Sequence, residues 1–273
     1  MQAAGPPRTA LTDTAHAFDD SAAYERFVGS WGRAAGAIFL DWLAPPAGTH
    51  WLDIGCGTGL FTGLILETCS PASVIAIDPA AGQIEHARRK PIAQRAQFEV
   101  GDAQTLPFAD DTFDVVASAL VINFIPNRPQ ALSEMCRVTR GHGVVGGYIW
   151  DFKEELSPSG PFRLGMREVV ADLPALPGTE DSSIGALRSL FTRAGFVEID
   201  TRTIEVTVSF PNFNDFWLAQ TPSYSPMTKM IAAMTANERA RLTEAVRAHV
   251  PFRGDGGIEY PARANAIKAR VPN

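Results

Sequence analysis

The chain has 273 residues, 45% hydrophobic and 20% charged, with a formal net charge of −6. That balance suits one globular domain with a sizeable core, and an acidic surplus without a long Lys/Arg run disfavours nucleic acid as substrate. Cys56, Cys69 and Cys136 are widely spaced and form no C-x-x-C pair, which argues against a disulfide framework and a cysteine-rich metal site, and the absence of a signal pattern or a membrane span predicts a cytoplasmic protein.

Residues 1 to about 18 are rich in Ala, Pro and Thr and are expected to be loosely ordered. Tyr24–Leu43 reads as a helix whose larger apolar positions are Phe27, Trp31, Phe39 and Leu43, and Gly29 and Gly32 predict a break near its middle. A strand over 50–54 runs into Gly55-Cys56-Gly57-Thr58-Gly59, a glycine-rich turn. Gly55 and Gly57 accept positive φ, or leave room where a Cβ would collide with a ligand. The helix over 59–69 aims its free N–H groups at whatever lies over that turn. The next strand, 73–78, ends at Asp78, 19 residues after Gly59. An acid at the end of the second strand of such a sheet accepts hydrogen bonds from both hydroxyls of a ribose.

Helix 80–90 ends in Arg88-Arg89-Lys90, read as a solvated end where positive charge suits the dipole. Strand 96–100 leads into Gly101-Asp102-Ala103, and strand 113–118 ends at Ser118. Asp114 is assigned to the start of that strand rather than to a ligand. Helix 128–138 is followed by the turn Arg140-Gly141-His142 and a strand from Gly143 to Trp150. Alternating strands and helices imply a parallel sheet with right-handed crossovers, and ligands bind such sheets at the C-terminal edge of the strands.

Beyond Trp150 the pattern changes. Residues 153–185 carry prolines at 158, 161, 174 and 177 and read as an insertion with one short helix near 162–172. A helix over 186–194, a strand over 196–210, a helical stretch over 211–250 and a last strand over 258–271 complete the chain. Phe213, Phe216, Trp217 and Tyr224 cluster in the helical stretch.

On the run Leu52-Asp53-Ile54-Gly55-Cys56-Gly57-Thr58-Gly59, with Asp78, Gly101-Asp102-Ala103 and the strand ending at Ser118, the chain resembles the class I S-adenosylmethionine-dependent methyltransferases. The likeness is to their small-molecule branch, which includes ubiquinone and menaquinone biosynthesis enzymes, and its core spans about residues 46–152. The resemblance implies a single Rossmann-like α/β domain. Its sheet has seven mostly parallel strands with the last antiparallel and inserted between the fifth and sixth, and helices on both faces. An N-terminal helical segment (19–45) and a helical lid (about 211–250) complete it. It implies S-adenosyl-L-methionine as cofactor, with Gly55, Cys56 and Gly57 under the methionine and ribose, and Asp78, with Pro79 beside it, at the ribose diol. It further implies Asp102 and Ala103 at the adenine and the Ser118 carbonyl at the methionine amine. Tyr24 and Trp31 would close the pocket, and Arg33 would pair with the methionine carboxylate. The resembling enzymes have Arg-Pro-Gly-Gly where this chain has Arg140-Gly141-His142-Gly143, so His142 reads as a surface residue.

A dinucleotide-binding reading fails on the third glycine, since position 60 is Leu, and there is no Gly-Lys-Ser/Thr for a phosphate loop. The acceptor is expected to be a small organic molecule methylated at O, C or N. It would meet Asn123 and Phe124 after the fourth strand, Trp150 after the fifth, and Phe216 and Trp217 in the lid. No general base stands out among His16, His50, His86, His142 and His249. Two other readings keep the cofactor site: an aminopropyl or carboxymethyl transferase, and a cofactor-binding protein without turnover.

Overall fold

The computed structural model describes residues 21–222 and 225–273, with residues 21–30 and Pro226 by backbone alone. The expectation for residues 1 to 18, His16 and Tyr224 lie outside the described residues, as does the side chain of Tyr24. In chain order the elements are α1 (Ser21–Leu43), β1 (His50–Ile54), α2 (Leu60–Thr68), β2 (Ser73–Asp78), α3 (Ala81–Arg88), β3 (Gln97–Val100), β4 (Phe113–Ala119) and α4 (Arg128–Val138). They continue as β5 (Thr139–Trp150), α5 (Gly160–Val169), α6 (Ile184–Arg193), β6 (Val197–Phe210), α7 (Phe213–Gln220), α8 (Pro226–Ala233), α9 (Ala236–His249) and β7 (Ile258–Arg270). One sheet results, in the order β3-β2-β1-β4-β5-β7-β6. β7 runs antiparallel to both neighbours, and the other pairings are parallel.

Strands buried on both faces need apolar residues at nearly every position. β1 meets this with Trp51, Leu52 and Ile54, each about 1% exposed or less. Trp51, Val115 and Ala117 pack in the cluster that holds α1 and α2 residues, and Leu52, Ile54 and Val116 pack with α4 and α6. β6 lies at the edge and alternates instead, with Ile204, Val206, Val208 and Phe210 buried and the intervening residues exposed.

The break expected at Gly29 and Gly32 does not occur: α1 runs unbroken over Ser21–Leu43, and a further glycine, Gly36, serves close packing. A Cβ on Gly36 would come within 2.8 Å of Leu64 and 3.1 Å of the Tyr148 hydroxyl, so glycine lets α1 lie directly on α2 and β5. Tyr148 Oη donates to the Gly32 carbonyl at 3.5 Å on the same face. The turn expected at 140–142 is instead the first part of β5. His142, at φ 61, takes up a register irregularity against β4 and is exposed there. The insertion is tied down rather than loose. Asp151 accepts from Arg263 Nη2 at 2.7 Å and from Asn265 Nδ2 at 3.0 Å, and Asn265 also donates to the Ser182 carbonyl. Among the described residues no helix is long and apolar enough to cross a membrane.

Candidate functional site

The glycine turn hangs from the end of β2. Gly55 N and Cys56 N both donate to the Ile77 carbonyl, at 2.8 and 3.0 Å. Gly55, Gly57 and Gly59 all adopt positive φ, at 73°, 54° and 86°, a conformation that Cβ-bearing residues reach only with strain. The Asp78 carboxylate closes the arrangement, accepting from Gly57 N and from Ala80 N, each at 2.9 Å. Its two oxygens are thereby aimed over the turn, with lone pairs left for further donors. Lys90 Nζ holds the other side of the turn by donating to the Thr58 carbonyl at 3.0 Å, and Arg88 donates twice to the Phe98 carbonyl. The basic end of α3 is therefore not merely solvated. It braces the turn and β3.

Asp53 is the residue that sequence reasoning overlooked. It is wholly buried in β1 and accepts from Thr62 Oγ1 at 2.6 Å, while its Oδ1 has no partner. Burial pushes its carboxyl up to about 7, against the Thr62 hydrogen bond, and the Asp78 charge adds to the rise. Burial also raises the Asp78 carboxyl, opposed by the hydrogen bonds from Ala80 and Gly57. The Cys56 thiol between them rises well above its ordinary value, through burial and then both carboxylates. Among the described residues, no cation is among the groups that shift either acid. The sequence signal for Asp53 was available: an acid in an apolar strand, with a threonine nine residues on in the following helix.

Around this centre, Ser118 is buried at the end of β4 with its Oγ unpartnered, and the Thr58 hydroxyl is likewise buried and unpartnered. Ala103 is buried after β3. Asp102 is exposed, its carboxylate accepting from Gln104 N at 2.8 Å, and Pro79 is exposed beside Asp78. Leu120 sits after β4 at φ 63 and donates its N–H to the Tyr148 carbonyl at 2.8 Å, a strained position of the kind found at ligand sites. A cavity of about 20 Å³, room for one water, lies between Gly55, Cys56, Phe61, Leu120, Tyr148 and Gly32 of α1. Val121 closes the turn from above, since a Cβ on Gly55 would stand 2.4 Å from its side chain.

Other expected residues are placed elsewhere. Arg33 pairs with Glu67 near the end of α2 remote from the turn, so the structure does not bring its guanidinium to the glycines. Trp31 packs edge-on against Phe210, with centroids 5.5 Å apart, in the core beneath the lid. Phe216 is fully buried among Phe210, Phe213, Phe162 and Tyr260, and Trp217 stacks edge-on with Phe162 at 5.3 Å. Trp150 is 8% exposed and belongs to the same cluster. These aromatics belong to the same core cluster as residues of α1, α2, β1 and β4. Asn123 is buried at the β4 edge, donating from Nδ2 to the Pro177 carbonyl at 3.2 Å with Oδ1 unpartnered, and Phe124 is half-buried beside it. His50 bonds Ser73 at the opposite edge of the sheet, and His249 pairs with Glu168 on the surface of α5 and α9.

A family model for a methyltransferase domain matches residues 52–146, the stretch that carries the glycine turn, Asp78 and β4. The chain carries a class I methyltransferase domain. It is 37% identical over 127 residues to a malonyl-[acyl-carrier protein] O-methyltransferase of Methylococcus capsulatus, covering 46% of this chain and 44% of that protein. It is 36% identical over 108 residues to the ubiquinone/menaquinone biosynthesis C-methyltransferase of Paracoccus denitrificans, covering 38% and 43%. The chain also superposes on a phosphoethanolamine N-methyltransferase of Haemonchus contortus solved with S-adenosyl-L-methionine. The TM-score is 0.61 and the identity 18%, covering 96% of this chain and 59% of that one. The chain spans less than half the length of either of the two curated relatives.

Proposed function

We propose that this chain is an S-adenosylmethionine-dependent methyltransferase acting on a small organic acceptor. The observation that carries the proposal is the acidic cleft at the C-terminal edge of β1 and β2. Two acids, the buried Asp53 and the half-buried Asp78, stand at a positive-φ glycine turn, and among the described residues no cation shifts either. Such a cleft suits a ligand that brings its own positive charge and a nucleoside diol, and it repels a pyrophosphate. The cofactor, when bound, supplies a methyl group on a cationic sulfonium.

Asp78 would receive the ribose hydroxyls on the lone pairs that Gly57 and Ala80 leave free, with Pro79 shaping the turn beside it. Gly55, Cys56 and Gly57 would lie against the methionine portion and the ribose. The Ser118 carbonyl would take the amine, and Asp102 and the Ala103 N–H would meet the adenine. Asp53, through its unpartnered Oδ1, balances the cationic end. Val121 and α1 must move off Gly55 to admit a ligand of this size, which also gives the chain a means of excluding water once it has closed. Methyl transfer needs the acceptor atom in line and at about 3–3.5 Å, so orientation supplies much of the rate, on the order of 7–11 kcal/mol. We assign that task to the side of the cleft bounded by Asn123 and Phe124, in one domain spanning the whole chain. Among the described residues we assign no strong base to the cleft, in keeping with a neutral acceptor nucleophile.

Transfer of a radiolabelled methyl group from S-adenosylmethionine to a panel of small acceptors, including carboxylic acids, phenols and amines, tests this. Labelled product is expected, and its loss in Asp78→Ala. Tight cofactor binding with no transfer to any acceptor would favour the reading as a cofactor-binding protein without turnover.

A further inference from the structure

The Asp102 carboxylate has a particular partner within the chain. Gln104 Nε2 donates to Asp102 Oδ1 at 3.0 Å and to Oδ2 at 2.9 Å, so a planar –NH2 group sits between the two oxygens. Oδ1 also accepts from Gln104 N at 2.8 Å, which fixes the direction of the carboxylate. An amide –NH2 and the amino group of adenine are alike in being planar, uncharged double donors. The mouth of the Asp102 carboxylate therefore suits the group that the cofactor reading brings to it, and Gln104 holds that place. A carboxylate has about four acceptor sites, but only one position faces both oxygens at once. Two –NH2 groups cannot share it.

The other end of the Gln104 side chain reaches a different part of the site. Its Oε1 accepts from Asn127 N at 3.0 Å, and Asn127 caps α4 by accepting from Gln130 N at 3.2 Å. Asn127 thus closes the loop between β4 and α4. The same loop opens at Leu120, φ 63, and at Val121, whose side chain stands over Gly55. Between these ends, Phe124 N and Ile125 N bond back to the Val121 and Ile122 carbonyls, so residues 121–125 form one compact turn. That turn carries Asn123 and Phe124, which are assigned to the acceptor. Both ends of the loop are held on residues assigned to the cofactor, Val121 on Gly55 and, through Gln104, Asn127 on Asp102.

We propose that Gln104 is a positioning residue that the adenine amino group displaces from Asp102, and that this exchange releases the acceptor loop at Asn127. The proposal rests on the cofactor reading. A ligand moves such an equilibrium only by what it gains in one state over the other, here the hydrogen bonds of its amino group. The probes are therefore S-adenosylhomocysteine and its purine analogue, which carries hydrogen in place of the adenine amino group. Both are titrated calorimetrically against the whole chain. Gln104→Ala removes the internal competitor, so it should tighten S-adenosylhomocysteine by about 3-fold or more and leave the purine analogue unchanged. In the parent, hydrogen exchange at the Asn127 amide, followed by NMR, should quicken by about 5-fold or more with saturating S-adenosylhomocysteine and not with the analogue. This second measurement needs no variant. Two results overturn the proposal: Gln104→Ala weakening both ligands alike, as loss of a merely structural contact would, or Asn127 exchange that answers both ligands equally or neither. A parent that binds the analogue as tightly as S-adenosylhomocysteine takes Asp102 off the adenine and overturns the proposal, with the cofactor reading intact. A parent that binds neither ligand overturns both.

Discussion

Asp53→Asn probes the acidic cleft through its effect on stability. The Asp53 carboxyl is fully buried and pushed up to about 7 from an ordinary 3.8. The sign follows from proton counting. Between those two values the folded chain holds a proton that the unfolded chain has released, so stability falls as pH rises and levels off above about 7. At about 1.4 kcal/mol per pH unit the full window is worth about 4 kcal/mol, and the part between pH 5 and pH 8 about 3 kcal/mol. Asparagine accepts the Thr62 hydroxyl as the acid does but never ionises. Titrating groups that do not interact with Asp53 cancel in the difference between variant and parent, and the coupling to Asp78 is the smallest of the effects on Asp53. Urea unfolding of both proteins at several pH values should therefore show the variant gaining on the parent by about 3 kcal/mol from pH 5 to pH 8. Affinity for S-adenosylmethionine should rise with pH in the parent, as the carboxylate forms beside a cation, and stay flat in the variant. A stability difference independent of pH would refute the burial argument, and one that shrinks with pH would reverse it.

Asp78→Ala should weaken cofactor binding by about 1.5–3 kcal/mol, roughly 10–150-fold, in a calorimetric titration. Gly55→Ala would put a methyl within 2.4 Å of the Val121 side chain on a backbone at φ 73. A loss of about 2–4 kcal/mol in urea unfolding is expected from strain and overpacking together. Asp151→Ala removes the acceptor of Arg263 and Asn265 at the base of the insertion. Because Arg263 is partly exposed, about 2–3 kcal/mol is expected to be lost, read by the same method.

The central strands were legible because parallel strands buried on both faces leave apolar runs that turns interrupt, as in Trp51–Ile54 and Phe113–Ala119. Asp78 was legible from its place at a strand end. The glycines of α1 were not, since a glycine that permits close approach to Tyr148 is spelled like one that breaks a helix. The Arg33–Glu67 pair was not legible for a related reason. A helix fixes which residues share a face, but only packing on α2 puts Glu67 within its reach. Phe216 and Trp217 illustrate a third case: aromatics that line a pocket and aromatics that pack a core have the same composition, and only three dimensions show how they pack on Phe162 and Phe213.

Calorimetric titration of the purified chain with S-adenosylmethionine, S-adenosylhomocysteine and NAD tests the central claim most directly. The acidic glycine-turn cleft predicts binding of the first two and none of NAD. Binding of NAD, or of neither S-adenosyl compound at millimolar concentration, would contradict it.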